Sequence, residues 1–477
     1  MSENQDKKEL VYRVSSLIRE NNELTQQIKD LSVLYDRAVS DCERLESILA
    51  QVPKEYLPDG MKFESGLKSL RFKMVTVMYL DIRGFENLTT SENSGHVIDE
   101  LDQILFHFTD IAEKYKLQII KTVGYSFMCA GGIPDKNITN PIDVVLAALE
   151  MRDYLDVLSK EYEKNNKKFW ELRIGIHTGP VTAVATGRKK ITYDIKGETV
   201  NIASRIAAAA EINKIYVSVY TYELVKEYFI TEFNGSLPVK YQGNLDVHCI
   251  KRLKHAYSVN RKIGFYPNEV FQVKYALRQF TDLQEVVLDK LEKELPAFLH
   301  YHNYRHTIDV VNQVELIGYG EGVDDESILL LKTAALFHDT GNIIGYDNHE
   351  YFGTQIARDF LPKWKYTPEQ IDKICDLIMA TKLPPNPQNL CEKIICDADL
   401  DYLGRSDFIP VSNSLYEELK AQGKDIDINT WNINQVKFLM SHQYFTDTAI
   451  KLREVGKEFQ IERLKKLIEE TLTLSCS

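Results

Sequence analysis

Strand-like and helical runs alternate along the chain from Phe72 to about Leu253, and the alternation then stops. Runs such as MVTVMYL and LQIIKTV predict strands, whereas HVIDELDQILFHFTDIAEKY has the apolar spacing of a helix. From about residue 254 onward the runs are helical, with few strand signals. A multidomain fold is therefore predicted, with an α+β domain over 70–253, a helical linker over 254–284 and an all-α domain over 285–475.

Residues 8–51 carry a third pattern, an apolar seam at alternating steps of four and three, which is a heptad repeat. Asn21 stands at an a position of this repeat, where it pairs with its twin only in a parallel, in-register dimer. The seam predicts a parallel coiled-coil homodimer, and an amphipathic helix packed on its own domain is the alternative. Its members are Leu10, Val14, Leu17, Asn21, Leu24, Ile28, Leu31, Tyr35, Ala38, Cys42, Leu45 and Leu49.

The composition is that of a globular chain, with 44% hydrophobic and 27% charged residues. A formal net charge of −12 without a long Lys/Arg cluster argues against nucleic acid or anionic membrane as a partner. The seven cysteines form no CxxC pair, which is typical of a reduced chain. Because no signal peptide or membrane-spanning run is found in the sequence, we expect a cytoplasmic protein.

Three patches of the α+β domain resemble motifs of the class III adenylyl/guanylyl cyclases, in the order that this family has them. They are VTVMYLDIRGF (75–85), KTVGYSFMCAGG (121–132) and RIGIHTGPVTAVATGRKKITYDIKGETVNIASR (173–205). The resemblance implies a ferredoxin-like α+β fold and an active site formed between two subunits. It also implies two divalent cations, Mg or Mn, which activate the ribose 3′-hydroxyl of ATP and neutralise its triphosphate.

The same resemblance implies a role for five residues. Asp81, which follows the apolar run VTVMYL, would be the first metal ligand. Lys121 and Asp194 match the pair that reads adenine, so ATP is favoured over GTP. Asn201 and Arg205 are four residues apart on one helix face, and they match the residues that orient the ribose and stabilise transition-state charge.

The chain departs from the cyclase pattern where a second metal-binding carboxylate is expected. That acid lies in a hairpin reading K-T-I-G-D in the family, and Tyr125 takes its place here. A phenol with a pKa of about 10 is a poor ligand for a hard cation near neutral pH. Gln242 stands where the family commonly has a lysine that grips the triphosphate. We therefore expect an impaired cyclase, which only a second cyclase subunit that brings an Asp would complete.

Histidines are concentrated in the all-α domain, where five of the eleven fall between 300 and 349. HYHNYRHT (300–307), FHDTGN (337–342), NHEYFG (348–353) and IICDADLDYLG (394–404) resemble, in this order, the HD-domain metal-dependent phosphohydrolases. Imidazoles mixed with carboxylates suit Mn, Fe, Zn or Mg and leave positions open for a water nucleophile and phosphate oxygens. A divalent metal cofactor is therefore predicted.

By this family's pattern, four residues hold the first metal, and Asp397 rivals the last of them. The four are His306, His338, Asp339 and Asp399. His349 would ligate a second ion. His302 resembles the general acid of cyclic-nucleotide phosphodiesterases, and we expect it to share one helix face with His306, four residues away.

Two features of cyclic-dinucleotide enzymes, HDxGK and GYP, are absent, because Asn342 follows HDTG and the chain reads GYD at 345–347. A mononucleotide, such as cAMP, or another phosphoester is therefore favoured as the substrate. The leading hypothesis is a cyclic-nucleotide signalling protein in which an impaired adenylyl-type cyclase domain is fused to an HD phosphohydrolase. The alternatives are an active cyclase, alone or in a heterodimer, a nucleotide sensor that regulates the HD domain, and a binding scaffold.

Overall fold

The computed structural model describes six stretches of the chain, all within the compact unit Lys68–Ser477. The stretches are 69–84, 94–164, 169–186, 192–239, 243–260 and 265–475. The coiled coil predicted over 8–51 and the departure at Gln242 lie outside these residues. Among the helices that the structure does describe, none combines the length and the apolar character needed to cross a bilayer.

A twisted sheet of eight strands forms the α+β domain. Its strands are β1 (Ser69–Arg83), β2 (Gln118–Val123), β3 (Ser126–Gly131), β4 (Glu171–Thr186), β5 (Thr192–Lys196), β6 (Lys214–Ser218), β7 (Phe229–Val239) and β8 (Gly243–Leu253). The order is β2-β3-β1-β4-β6-β8-β7, and β5 pairs with β4. Only β4 and β6 pair in parallel, so the predicted α+β class is confirmed.

Four helices cover the two faces of this sheet: α1 (Ser94–Lys114), α2 (Asn140–Lys164), α3 (Glu198–Ala209) and α4 (Val219–Val225). Successive side chains of a strand point to opposite faces, so β1 feeds two cores. Leu80 packs in the core with α1 and α2, whereas Val77 packs in a core with α3. Helix α3 packs directly against β4 at Gly175. A Cβ added there would stand 2.1 Å from the backbone nitrogen of Ala207, so this close approach requires glycine.

The helical domain follows a short hairpin of β9 (Ser258–Asn260) and β10 (Phe265–Pro267). Its helices are α5 (Glu269–Glu294), α6 (Tyr304–Gly320), α7 (Asp325–Phe337), α8 (His349–Phe360), α9 (Pro368–Ala380), α10 (Leu390–Asp399), α11 (Phe408–Ala421), α12 (Ile428–Ser441) and α13 (Asp447–Ser475). Single 3₁₀ turns form at His255–Tyr257, Thr340–Ile343, Leu361–Trp364 and Asp401–Gly404. The predicted helical region is therefore confirmed, apart from the hairpin.

Side-chain caps explain where several of these helices begin. Asn303 caps α6 by accepting a hydrogen bond from the backbone nitrogen of Arg305, and Asp324 caps α7 in the same way. Thr367 and Gln370 form a reciprocal capping box at the start of α9. Because α6 starts only after Asn303, His302 precedes the helix, and the expectation that it lies on a helix face with His306 is wrong.

Helix α5 belongs to both domains. Phe271, near its start, is buried in the core of the α+β domain. Phe280 and Leu283, farther along the same helix, are buried in the core formed by α6, α7 and α9. The predicted linker over 254–284 thus contains the β9–β10 hairpin and the first part of a helix that continues into the helical domain.

Candidate metal centre

Three helix ends bring the predicted metal ligands together. His306 lies in the first turn of α6, His338 follows the last residue of α7, and Asp339 comes next. Asp399 is the last residue of α10. These four residues, named the His–Asp cluster below, come from segments up to 93 residues apart in the chain.

The side chains of the His–Asp cluster converge on one point. His306 Nε2 lies 3.0 Å from Asp399 Oδ1 and 3.4 Å from His338 Nε2. His338 Nε2 lies 3.2 Å from Asp339 Oδ2. Among the described residues, His306, His338 and Asp339 form a group whose ligand atoms all lie within 4.8 Å of one another. Two imidazole nitrogens with carboxylate oxygens at this spacing form a donor set that suits a divalent transition metal.

Hydrogen bonds outside the cluster orient the imidazole of His338. Its Nδ1 donates to the backbone oxygen of Ala335 at 2.7 Å, so its Nε2 faces the cluster with a free lone pair when the ring is neutral. Asp339 Oδ2 is buried and makes no hydrogen bond of good geometry among the described residues, although the Nε2 atoms of His338 and His306 lie 3.2 and 3.5 Å away. An orphaned buried carboxylate oxygen is costly, and a cation would satisfy it.

The charges of the cluster reinforce each other. Burial favours neutral carboxyl groups at Asp339 and Asp399, but the neighbouring imidazoles hold the pKa of both below the usual range. Burial alone would lower the pKa of His338, but the two neighbouring carboxylates outweigh this effect, and the net result is a raised pKa. The site therefore attracts positive charge strongly, whether as protons or as a metal ion that displaces them.

Only one of the two rival aspartates reaches this cluster. Asp397 is fully buried, and its carboxylate accepts hydrogen bonds from the backbone nitrogens of Phe445 and Thr446, at 2.9 and 2.8 Å. Asp399, two residues later on α10, faces His306 instead. The structure thus brings Asp399 to the cluster and turns Asp397 away from it.

His349 lies beside the cluster, at the start of α8. Its Nδ1 donates to the backbone oxygen of Tyr346, and its Nε2 lies 3.4 Å from Asp339 Oδ1. This oxygen is not the one that faces His338, so Asp339 stands between the cluster and His349. A second ion held by His349 stays a prediction.

His302 is held against the cluster by a buried carboxylate. Glu418 on α11 accepts hydrogen bonds from the backbone nitrogens of Tyr301 and His302, at 2.9 and 3.0 Å, and from His302 Nδ1. Burial lowers the pKa of His302, but the charges of Asp339 and Glu418 outweigh it and raise the pKa. The imidazole is thus poised to donate a proton.

In the α+β domain, Tyr125 lies next to the predicted metal ligand Asp81. The β1–β3 register pairs Asp81 with Ser126, and the backbone oxygen of Tyr125 accepts a hydrogen bond from Ile82. Arg83 Nε donates to Asp81 Oδ2 at 2.7 Å. The Tyr125 ring lies near Trp170, with the ring centroids 6.4 Å apart, and the role of position 125 in metal binding stays a prediction.

The other predicted nucleotide residues are exposed. Lys121 lies on β2 and Asp194 on β5, and these two strands contact each other. Asn201 and Arg205 lie on the exposed face of α3. A site formed between two subunits, as the cyclase resemblance implies, would leave each subunit's residues exposed in this way.

Two family models match the chain. Residues 67–252 match the adenylate and guanylate cyclase catalytic domain, and residues 303–401 match the HD domain. The chain joins a class III nucleotide cyclase domain to an HD domain. Together with the geometry above, these matches confirm both resemblances, while the role of each site residue stays a prediction.

Curated relatives match the cyclase domain. Receptor-type guanylate cyclase gcy-23 of Caenorhabditis elegans is 32% identical over 207 residues, which are 42% of this chain and 19% of the relative. An adenylate cyclase of Mycobacterium tuberculosis is 27% identical over 229 residues, 48% of this chain and 49% of the relative. The chain thus spans half or less of the length of the curated relatives it matches.

Solved structures match the same domain. The adenylyl cyclase CyaB from P. aeruginosa is 29% identical and covers 40% of this chain and 98% of its own, with a TM-score of 0.36. The guanylate cyclase domain of RhGC from Catenaria anguillulae, solved with GTP, is 24% identical and covers 39% of this chain and 100% of its own, with a TM-score of 0.34.

Glu418 is the site residue that sequence reasoning missed. It lies beyond the residues that match the HD domain model, in a segment, LYEELKAQG, that reads as a surface helix. One signal was available: Phe408, Val411 and Leu415 set the apolar phase of α11, and Glu418 falls on that same face. A carboxylate at a core position needs a partner, and His302 is that partner here.

Proposed function

We propose that this chain is a metal-dependent phosphohydrolase whose HD domain cleaves a mononucleotide phosphoester within a cyclic-nucleotide signalling protein. The observation that carries the proposal is the His–Asp cluster, in which the buried Asp339 Oδ2 has no hydrogen bond, beside His302, whose pKa is raised. The cluster supplies a cage for a divalent cation, and His302 supplies an acid. Hydrolysis of a phosphoester needs both.

In this proposal each residue has a defined task. A divalent ion, when bound, would polarise the phosphoryl group and acidify a water. His306 and His338 would offer Nε2 lone pairs, and Asp339 and Asp399 would balance the positive charge. His302 would donate its Nε2 proton to the leaving oxygen, while Glu418 holds the Nδ1 proton and fixes the orientation of the ring.

A second function is favoured at the cyclase domain, where Tyr125 directly precedes Ser126, the β1–β3 partner of Asp81. We infer that this domain binds an adenine nucleotide through Lys121 and Asp194 and turns it over weakly, or not at all, as a homodimer. Cyclase activity in a heterodimer whose other subunit supplies an Asp is the alternative. Dimerisation through the coiled coil stays a prediction.

The decisive experiment is a substrate panel on the purified full chain. Phosphodiesters, including cAMP, and phosphomonoesters would be tested with Mn, Fe, Zn and Mg, each after removal of bound metal. We expect turnover of at least one phosphoester that depends on added metal and is lost in His338→Ala. Turnover that is equal without metal, or none with any metal and substrate, would contradict the proposal.

A further inference from the structure

The chain on both sides of Asp399 is tied to a single later part of the protein, the C-terminal segment Tyr444–Gln460. Two residues before Asp399, the buried carboxylate of Asp397 accepts hydrogen bonds from the backbone nitrogen and the hydroxyl of Thr446, at 2.8 and 2.7 Å. The backbone nitrogen of Phe445 donates to the same carboxylate. The last turn of α10 is thereby anchored to the start of α13.

The residues after Asp399 are anchored to the same segment. Arg453 Nε donates to Asp401 Oδ1 at 2.7 Å, and the side chain of Asp401 is only 3% exposed. Farther along, the side-chain nitrogen of Gln460 donates to the backbone oxygen of Arg405 at 3.0 Å. Hydrogen bonds from one segment thus hold the chain before and after the metal ligand.

Two glycines let α13 approach the turn that follows Asp399. A Cβ added at Gly456 would stand 2.0 Å from the backbone oxygen of Gly404, and one added at Gly404 would stand 2.3 Å from the backbone oxygen of Arg453. The helix therefore contacts the 3₁₀ turn Asp401–Gly404 backbone to backbone. Little room is left for that turn to shift while α13 stays in place.

The other ligands of the His–Asp cluster are held differently. The imidazole of His338 is oriented by the backbone oxygen of Ala335, in the helix that His338 follows. His306 lies in the first turn of α6, which is capped by the side chain of Asn303. Among the four members of the cluster, and within the part of the chain that the structure describes, Asp399 is the one whose flanking residues hydrogen-bond to the C-terminal segment. The residues that match the HD domain model end at 401, so this segment lies outside that match.

We infer that the C-terminal segment positions Asp399 for metal binding, and that Thr446 and Arg453 are its positioning residues. The inference rests on the proposed function, because it requires that the His–Asp cluster binds a metal. A carboxylate ligand displaced by a few tenths of an ångström loses coordination energy, and loss of the groups that orient a ligand typically weakens metal affinity 10–100-fold. The side chains of Thr446 and Arg453 contact Asp397 and Asp401 and act on Asp399 through them.

The test compares Mn²⁺ affinity of the full chain and its variants by calorimetric titration of the metal-free proteins. Thr446→Val removes the hydroxyl donor to Asp397 at nearly constant size, and Thr446→Ser keeps it. Arg453→Gln removes the partner of Asp401. Lys466→Gln removes an exposed cation from the same helix and is the matched control.

We expect the Mn²⁺ affinity of Thr446→Val and of Arg453→Gln to fall by about 10-fold or more, and kcat of both to recover at saturating metal. Thr446→Ser and Lys466→Gln should bind Mn²⁺ nearly as tightly as wild type. A purely structural role would lower the melting temperature of the metal-free protein and leave the metal-induced increase of that temperature unchanged. Circular dichroism checks folding, and Thr446→Val decides the matter if Arg453→Gln does not fold.

Affinities in both variants within twofold of wild type would overturn the inference and leave the proposed function standing. A wild-type chain that binds no divalent ion would overturn both. Equal loss of affinity in Thr446→Val and Thr446→Ser would also overturn the role of the Thr446 hydroxyl, because Thr446→Ser retains that donor.

Discussion

Two histidines of the HD domain differ in what their Nδ1 atoms contact, and this difference separates their proposed roles. Nδ1 of His338 donates to a backbone oxygen, so a metal ion that displaces the Nε2 proton would find the lone pair of that nitrogen facing the cluster. Nδ1 of His302 contacts the carboxylate of Glu418, which favours the protonated ring. In the proposed function, the partner of Nδ1 thus favours a metal ligand in one case and a proton donor in the other.

Replacing these two histidines one at a time should separate metal binding from proton transfer. His338→Ala loses a nitrogen ligand, so metal content and turnover should fall together. His302→Ala should keep its metal while turnover falls by about 10²–10⁴-fold, with a smaller loss for substrates whose leaving group needs no proton. Elemental analysis and steady-state kinetics on both variants measure this. Full activity in His338→Ala, or metal loss in His302→Ala, would refute these roles.

At the cyclase domain, Tyr125→Asp should raise nucleotide cyclase output. Position 125 directly precedes Ser126, the β1–β3 partner of Asp81, and in the cyclase pattern an acid at this position shares cations with the first metal ligand. Formation of cAMP from ATP with Mn²⁺ is the measurement, and Tyr125→Asn is the control that adds a polar group without charge. Wild-type output equal to that of Tyr125→Asp, unchanged by Asp81→Ala, would place the active site elsewhere.

The ligand types and their order could be predicted from the sequence, but not every contact among them. His306, His338, Asp339 and Asp399 stand in short motifs, and the structure brings them together. The sequence did not decide between Asp397 and Asp399 as the metal ligand. The carboxylate of Asp397 accepts a hydrogen bond from Thr446, which lies in a segment without any motif, so only the fold shows that Asp397 has another partner. The contact between Glu418 and His302 could not be predicted, because the two residues are 116 positions apart in the chain.

At the scale of elements, hydrogen bonds connect α5 to the start of α2. The hydroxyl of Tyr275 donates to Asp143 Oδ1 at 2.8 Å, and Asp282 accepts a hydrogen bond from the backbone nitrogen of Ile138 at 2.9 Å. Burial raises the pKa of Asp143 to about 6, although the hydroxyls of Tyr275 and Thr139 partly oppose this. The contact between the two helices is therefore sensitive to pH.

The sign of this sensitivity follows from linkage. The carboxyl of Asp143 keeps its proton in the folded chain up to about pH 6, whereas the unfolded chain loses it above its ordinary pKa of 3.8. Between these two pKa values the folded chain holds a proton that the unfolded chain has lost. The free energy of unfolding therefore falls as pH rises from 3.8 to about 6. Asp143→Asn removes the effect, so the variant should gain about 1 kcal/mol relative to wild type between pH 5 and pH 7.

Urea unfolding of the full chain at both pH values measures this gain. Asp289→Asn, an exposed change on α5, is the control, and its effect should be the same at both pH values. A difference between Asp143→Asn and wild type that does not change with pH would show that the carboxyl is ionised throughout.

At the scale of the whole molecule, the cyclase and HD domains share α5 and are not joined by a free linker. The apolar residues of this helix form one stripe in the sequence, which predicts an amphipathic helix but not which core each half enters. Only the fold places Phe271 with the cyclase core and Phe280 with the HD core. The classes of the cyclase and HD domains could therefore be predicted, and their connection could not.

An HD fragment that begins at 285 should fold poorly, and one that begins at 276 should fold cooperatively. The shorter fragment lacks Phe280 and Leu283, which are buried among α6, α7 and α9, and their loss opens a cavity in that core. Deleting one buried Phe or Leu side chain typically costs 2–5 kcal/mol, so losing both removes most of the 5–15 kcal/mol that stabilises a typical domain. Thermal unfolding followed by circular dichroism compares the fragments, with Phe280→Ala in the longer one as the intermediate case. Equal melting temperatures for 276–475 and 285–475 would mean that α5 contributes nothing to the HD core, and the HD domain would then be independent of the helix it shares.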